Sequence, residues 1–259
     1  MSFDSDPRYE NRTYRTWITN QEEMLSLRVS IDETDLLVRV ERGIADPGAI
    51  RQKVETIVRR ERRSLEDYIE RQPIFLDSLT PVTVVGWAPR IVKHMAIAAE
   101  AAGVGPMAAV AGALATAVGA ELATTHTEVI VENGGDIYIT ASQPRTITVF
   151  AGDSPFTGRL GILLRPHLFP LGVCSSSGTV GHSLSFGSAD CATVIAKDAA
   201  LADAAATALG NRIAGVKDLK PAVEWVMTIP GVIAGLAIKN DQLAVQGSIE
   251  LVRLPGPGR

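Results

Sequence analysis

The chain is poor in cysteine and in aromatic residues, and each shortage excludes a class of protein. Its 259 residues include 2 cysteines, and 5% of the residues are aromatic. Cys174 and Cys191 are too few for the disulfide framework of a small secreted protein, and no cysteine–histidine group has zinc spacing. We therefore expect two reduced, buried thiols.

An excess of positive charge is also absent. Lysine and arginine number 25 against 29 acidic residues, a formal net charge of −4. Proteins that hold nucleic acid by its phosphates need a strong positive field, so we expect no nucleic-acid partner. The arginine-rich stretch 59–63 suggests a phosphate or RNA site, but its interleaved glutamates favour a solvated helix face with ion pairs.

Long apolar runs are scarce as well. Residues 101–120 carry no charge over a length that would span a bilayer. They are mostly alanine and glycine and are interrupted by Pro106, which predicts a helix that begins there and packs in a core. The acidic start of the chain lacks the features of a secretory signal, so we expect a cytoplasmic protein without a membrane partner.

Apolar periodicity, which is present throughout the chain, predicts one α+β domain over 1–259. We divide it into an N-terminal hairpin and helix (13–73), a motif-bearing core (81–210) and a C-terminal helix and hairpin (219–254). The predicted strands are 25–31, 36–40, 81–87, 128–132, 136–140, 146–150, 160–165, 192–196 and a closing hairpin over 232–254. The predicted helices are 46–73, 88–102, 106–122, 198–210 and 219–228, with a Ser/Gly-rich loop over 172–190. Because strict βαβ alternation is missing, we expect small-residue helices packed on a largely antiparallel sheet.

The pair Asp203 and Thr207 is the first candidate site. Positions i and i+4 lie one above the other on a helix, and carboxylate and hydroxyl oxygens suit Mg²⁺. The surrounding residues are nearly all alanine, so the helix itself offers Asp203 no basic partner. Spacing alone leaves open an ordinary carboxylate on an exposed stripe.

Two further patterns point to other chemistry. Residues 103–108 match the Gly-x-Gly-x-x-Ala dinucleotide fingerprint, but the segment before them is helical rather than a strand. In the 172–190 loop, Cys174 or Ser175–Ser177 with His182 suggests a nucleophile and its base, although the Gly-x-Ser-x-Gly elbow is missing. Neither pattern has the surrounding structure that its chemistry requires.

Three segments, taken in order, resemble the ApbE family of flavin transferases. Residues 132–137 (Glu-Asn-Gly-Gly-Asp-Ile) resemble that family's Asn-x-Gly-Gly-Asp-Ile turn. Residues 176–178 and 181–184 are similar to its Thr-Ser-Gly and Ser-His-Ile segments. Residues 202–209 are similar to its Ala-Asp-Ala-x-Ala-Thr-Ala-Leu helix, and the preceding strand also matches. The resemblance covers about residues 100–210.

This resemblance implies a fold and an activity. Members bind FAD and, with Mg²⁺, transfer FMN to a threonine or serine of a target protein. Carried over by position, Asp203 and Thr207 hold the metal. The implied flavin-nucleotide residues are Asn133, Gly134, Gly135, Asp136, Ser176, Ser177 and Gly178, with His182 as the catalytic residue. The implied partners are a small-molecule nucleotide and a protein acceptor, and the small-residue helix 106–122 leaves a homo-oligomer open.

The chain also departs from the family pattern. The family's Asp-Pro-x-Thr-Gly stretch after the histidine is replaced here by Ser-Leu-Ser-Phe-Gly, and the lysine of its Gly-Gly-Ile-Ala-Lys-Gly helix start is missing. Three hypotheses therefore stand: a magnesium-dependent flavin-nucleotide protein related to FMN transferases, a non-catalytic flavin or nucleotide-binding module, and an enzyme that acts on another small molecule through the Ser/Gly/His loop.

Overall fold

The computed structural model of the chain describes residues 24–44, 46–178 and 187–256. Within these residues the strands follow in this order: β1 (Met24–Ile31), β2 (Thr34–Glu41), β3 (Val129–Asn133), β4 (Asp136–Thr140), β5 (Arg145–Thr148), β6 (Leu160–Leu164), β7 (Leu171–Ser176), β8 (Cys191–Ala196), β9 (Val232–Lys239), β10 (Gln242–Gly247) and β11 (Glu250–Arg253). The helices are α1 (Pro47–Arg71), α2 (Ile74–Asp77), α3 (Arg90–Ala102), α4 (Val110–Leu122), α5 (Ala199–Asn211) and α6 (Leu219–Val226).

The strands form two antiparallel sheets. Eight strands lie in the order β1-β2-β3-β4-β7-β8-β9-β10, and three lie in the order β11-β6-β5. Every strand pairing is antiparallel. The α+β prediction with a largely antiparallel sheet is therefore confirmed.

Each face of the large sheet covers its own core. Alternate residues of a strand point to opposite faces, so β4 sends Tyr138 towards the helices and both Ile137 and Ile139 to the other side. The helix-side core includes 13 buried alanines from α3, α4 and α5, and the second core packs against the small sheet. Small side chains let these helices lie close to the sheet.

Five of the six described helices form where the patterns predict them, and α2 was not predicted. Asp46 caps α1 by accepting the amide of Ala49 at 3.0 Å, and Pro47 occupies the first helical position. On its solvent side, Arg60 pairs with Glu61 and Glu121, as a solvated face requires. The apolar segment that begins at Pro106 is buried as predicted, as a short 3-10 turn (Pro106–Ala109) followed by α4.

A membrane span is not apparent from helix length in the described residues. No single helix there is long and apolar enough to cross a bilayer. The pair Arg90–Ala102 and Pro106–Leu122 passes by length and composition together, but it bends by 104° at the break.

Four predicted elements differ from the structure. Residues 81–87 form no strand, because their valines pack against the helix-side core instead of a sheet edge. The first residues of the predicted 172–190 loop, up to Ser176, belong to β7, which pairs with β4 and β8. Gly210 does not end α5, which continues to Asn211. The closing hairpin is split, because Gly247 takes a left-handed φ of +100° and β11 then pairs with β6 in the other sheet.

Candidate functional site

A two-residue turn joins β3 to β4 and forms one wall of the candidate site. Gly134 and Gly135 have φ values of +69° and +106°, a region that glycine enters without steric cost. The Glu132 carboxylate accepts the amide of Gly135 at 2.8 Å and braces the turn. Glu132 belongs to the 132–137 motif but was given no role there, although a carboxylate three residues before a turn amide is within reach of it.

Asp136 opens β4 and faces the helix layer. It lies on the same side of the strand as Tyr138, which belongs to the helix-side core, and 9% of its surface is exposed. Its negative charge acts on two groups in that layer, Asp203 of α5 and Cys174 of β7. The turn and α5 therefore meet at one point, as the resemblance predicts for these segments.

Asp203 is half-buried between α5 and α4 rather than on an exposed stripe. Its Oδ2 accepts the amide of Gly112 at 2.9 Å, and the amide of Ala111 also donates to the carboxylate. The residue before α4, Ala109, offers no side-chain cap. A carboxylate from a neighbouring helix thus satisfies amides at the positive end of α4.

Glycines make this approach of α4 to α5 possible. A Cβ at Gly112 would lie 2.1 Å from the carbonyl oxygen of Ala199, and a Cβ at Gly172 would lie 2.3 Å from its Cα. The first turn of α5 is therefore wedged between α4 and β7. Any larger residue at Gly112 would push the amide that Asp203 accepts away from it.

A second contact fixes the start of α5. Asp198 caps the helix by accepting the amide of Leu201 at 3.0 Å, as predicted, and its other oxygen lies 2.5 Å from Nε2 of His94 on α3. Burial would raise the pKa of Asp198, but the bonds from His94 and the backbone outweigh it and lower the pKa. Sequence patterns did not single out His94, which is 104 positions away.

The electrostatics of the site are those of crowded negative charge. Burial raises the pKa of Asp203 well above its usual value, and the charge of Asp136 raises it further. Burial, with the charges of both carboxylates, also raises the pKa of the Cys174 thiol well above its usual value. Within the described residues, Asp203 forms no ion pair with lysine or arginine.

Neither cysteine is set up as a nucleophile. Both are free and fully or nearly fully buried, as expected from their number. The Cys174 thiol donates to the carbonyl of Ala199 at 3.3 Å, and burial raises the pKa of Cys191 to about 11. Because the reactive form is the thiolate, the geometry gives no support to thiol chemistry.

Thr207 completes the set of oxygen donors that the metal hypothesis requires. It lies one helical turn beyond Asp203 and is half-buried, and its hydroxyl makes no hydrogen bond within the described part of the chain. A carboxylate and a hydroxyl are hard donors, which fit a cation that takes few protein ligands, such as Mg²⁺. In residues 24–44, 46–178 and 187–256, no group of three histidine, cysteine or acidic residues is suited to a metal.

The serine–glycine segment lies at the other end of α5. Ser176 Oγ is 3.5 Å from where a Gly210 Cβ would be, and Gly210 is seven residues, about 10 Å along the axis, from Asp203. The Gly178 amide donates to Ala189 at 2.9 Å. The structure therefore brings Asn133–Asp136 to Asp203, and it places Ser176–Gly178 along the same helix but further away. His182 lies outside the described residues.

Comparisons with known proteins give the family and the fold. A family model described as "AbpE bacteria" matches residues 15–226. A UPF0280 protein of Methanocella arvoryzae is 45% identical over 191 residues, 73% of this chain and 78% of the relative. A UPF0280 protein of Methanocaldococcus jannaschii is 42% identical over 232 residues, 87% and 92% of the two chains. The solved structure of the flavin transferase ApbE from Vibrio cholerae superposes with a TM-score of 0.55 at 12% identity, covering 87% of this chain and 97% of that one.

Proposed function

Because the chain belongs to the family described as "AbpE bacteria" and has the ApbE fold, we propose that it is a magnesium-dependent flavin-nucleotide-binding protein related to FMN transferases. One observation supports this most: the charge of Asp136 at the Gly-Gly turn acts on Asp203 of α5, and Asp203 has no basic partner among the described residues. A divalent cation would relieve that repulsion.

The residues take separate roles in this proposal. Asp203 and Thr207 hold Mg²⁺, and Gly134, Gly135 and Asp136 line the nucleotide site. Bound Mg²⁺ would supply positive charge against the pyrophosphate of FAD. Ser176, Ser177 and Gly178 also bind the nucleotide, and His182, with Ser177 and Gly178, approaches the phosphates or acts beside them.

In its more specific form, the proposal is that the protein transfers FMN from FAD to a protein acceptor. A hydroxyl of a protein acceptor would attack the FMN phosphorus of the pyrophosphate, form a phosphoester, and release AMP. The missing Asp-Pro-x-Thr-Gly stretch after His182 favours the two alternatives, a flavin-nucleotide module that binds without transferring and an enzyme that acts on another small molecule. Fold alone does not decide between them, because one fold supports several activities.

The test is binding of FAD to the purified protein with Mg²⁺ and with EDTA, followed by assay of AMP release with threonine-bearing acceptors. We expect FAD binding that requires Mg²⁺ and weakens at least about tenfold, or about 1.4 kcal/mol, in Asp203→Asn. Asp67→Asn, at an exposed position of α1, is the matched control and should bind like the wild type.

Each outcome separates the candidates. AMP release that depends on the acceptor indicates transfer, and FAD binding without release indicates the module. If the wild type does not bind FAD under either condition, both flavin proposals are wrong. The remaining hypothesis, another small-molecule substrate, would then be the one to pursue.

A further inference from the structure

Asn133 is the last residue of β3, directly before the Gly-Gly turn, and its side chain is hydrogen-bonded to α4. Its Nδ2 donates to the carbonyl oxygen of Ala111 at 3.2 Å, and 7% of the residue is exposed. Ala111 is the second residue of α4, and the next residue, Gly112, donates its amide to Asp203. The first turn of α4 is therefore held by β3 through Asn133 and by α5 through Asp203.

This turn of α4 depends on outside contacts. Ala109 before it provides no side-chain cap, and a 3-10 turn of poorer hydrogen-bond geometry precedes it. Gly112 within the turn lowers helix stability relative to alanine. A helix start with these features frays unless neighbouring elements hold it.

We propose that Asn133 is a positioning residue, which holds the first turn of α4 in place so that the Ala111 and Gly112 amides stay on the Asp203 carboxylate. Asn133 acts on Asp203 through α4 and contacts neither the cation nor the nucleotide. Its effect on ligand binding rests on the proposed function, whereas its effect on α4 does not.

One substitution separates this role from that of a direct ligand. In Asn133→Asp the size is kept, but the donor is replaced by an acceptor that faces the Ala111 carbonyl oxygen. A positioning residue would then lose its contact and weaken cation-dependent binding. If the Asn133 side-chain oxygen were itself a cation ligand, a carboxylate would be a stronger donor to Mg²⁺ and would tighten binding.

The experiment has two measurements on the full chain. The first is hydrogen exchange of the Gly112 amide, followed by NMR in the ligand-free protein. The second is the Kd for FAD with Mg²⁺. For Asn133→Asp we expect exchange about tenfold faster and binding about tenfold weaker. Asn133→Ala should change both in the same direction, and it serves if the aspartate variant does not fold. Gln52→Glu, exposed on α1, controls for the added charge and should change neither.

The outcomes are distinct. Faster Gly112 exchange together with weaker binding supports the proposal. Tighter Mg²⁺-dependent binding in Asn133→Asp, or unchanged Gly112 exchange in both Asn133 variants, overturns it. If the wild type binds no FAD, the proposed function fails, and the exchange measurement alone still decides whether Asn133 positions α4.

Discussion

The two ends of the β3–β4 hairpin bury acidic groups in opposite ways. At the open end, the Glu128 carboxylate accepts Arg145 Nη2 at 2.5 Å and the amide and hydroxyl of Ser142. At the turn end, Asp136 lies against Asp203, which receives backbone amides and no basic side chain of the described residues. Glu128 at the open end therefore has a basic partner, whereas Asp203 at the turn end has none among the described residues.

The difference is expressed in the pKa values. Burial alone would raise the pKa of Glu128, but the bonds from Arg145 and Ser142 lower it below its usual value. For Asp203, burial and the neighbouring carboxylate both raise the pKa, and the two amides do not compensate. Contacts within the protein thus stabilise the anion of Glu128, which is what we expect of a structural acid. The described residues offer the Asp203 anion no basic side chain, and we interpret this difference as the sign of a binding site.

The largest expected effect comes from removing the Arg145–Glu128 ion pair at the open end of the hairpin. In Arg145→Met the Glu128 charge stays buried without its partner, so we expect the free energy of unfolding to fall by about 3–5 kcal/mol in denaturant titrations. The double variant Arg145→Met/Glu128→Leu should recover most of that loss, because no buried charge remains. A loss below about 1 kcal/mol in the single variant would mean that the pair is not a structural one.

The next effect concerns the packing that brings α4 to Asp203. In Gly112→Ala the new Cβ would meet the Ala199 carbonyl at 2.1 Å, so α4 and α5 must separate. We expect a loss of about 1–3 kcal/mol of stability, measured by thermal unfolding. Gly86→Ala is the matched control, because a Cβ there meets nothing within 4 Å. Equal stabilities of the two variants would contradict the close approach.

A smaller effect of opposite sign is expected at Asp203. A carboxyl whose pKa is raised in the folded state binds its proton more tightly there, so stability falls as pH rises from the unfolded pKa of about 3.9 to the raised folded value. In EDTA, Asp203→Asn should therefore be more stable than the wild type at pH 7, by an amount on the order of 1 kcal/mol, since one pKa unit corresponds to about 1.4 kcal/mol.

Thermal unfolding at pH 4 and at pH 7 checks that prediction. The advantage of Asp203→Asn should shrink towards pH 4, because the wild-type carboxyl is then protonated more fully in both states. A variant that is less stable than the wild type at pH 7 would show that Asp203 serves mainly as a helix cap and carries no excess charge.

The smallest effect on stability is expected at Thr207. Its hydroxyl makes no hydrogen bond in the described part of the chain, so Thr207→Val should change stability by less than about 0.5 kcal/mol. The same variant should weaken Mg²⁺-dependent FAD binding, measured by fluorescence titration. Thr56→Val on the exposed face of α1 is the control. Unchanged binding in Thr207→Val would remove Thr207 from the metal site.

Local patterns predicted most of the fold because they reflect burial within one element. The alternation in β1 and β2, the stripe of α1 and the cap at Asp198 each depend on residues a few positions apart. The errors arose where a distant partner decides the structure. Residues 172–176 were predicted to be part of a loop because serines and glycines are frequent across 172–190, yet β4 and β8 pair with them and make them a central strand.

The same limit applies to the site. The Gly-Gly turn and the Asp203/Thr207 helix are visible as motifs, and their meeting was predicted from the family resemblance. The contacts that hold them are not visible in sequence: Gly112 is 91 positions from Asp203, and Ala111 is 22 positions from Asn133. Small residues in α4 signalled close packing but did not indicate which amide would meet which carboxylate.

The claim that the turn end of the hairpin is a cation-dependent nucleotide site is tested most directly by calorimetric titration of FAD into the wild type and into Asp203→Asn, each with Mg²⁺ and with EDTA. We predict that Mg²⁺ promotes FAD binding by the wild type and has little effect on the variant. Equal FAD binding under all four conditions, or no binding under any of them, would contradict the claim.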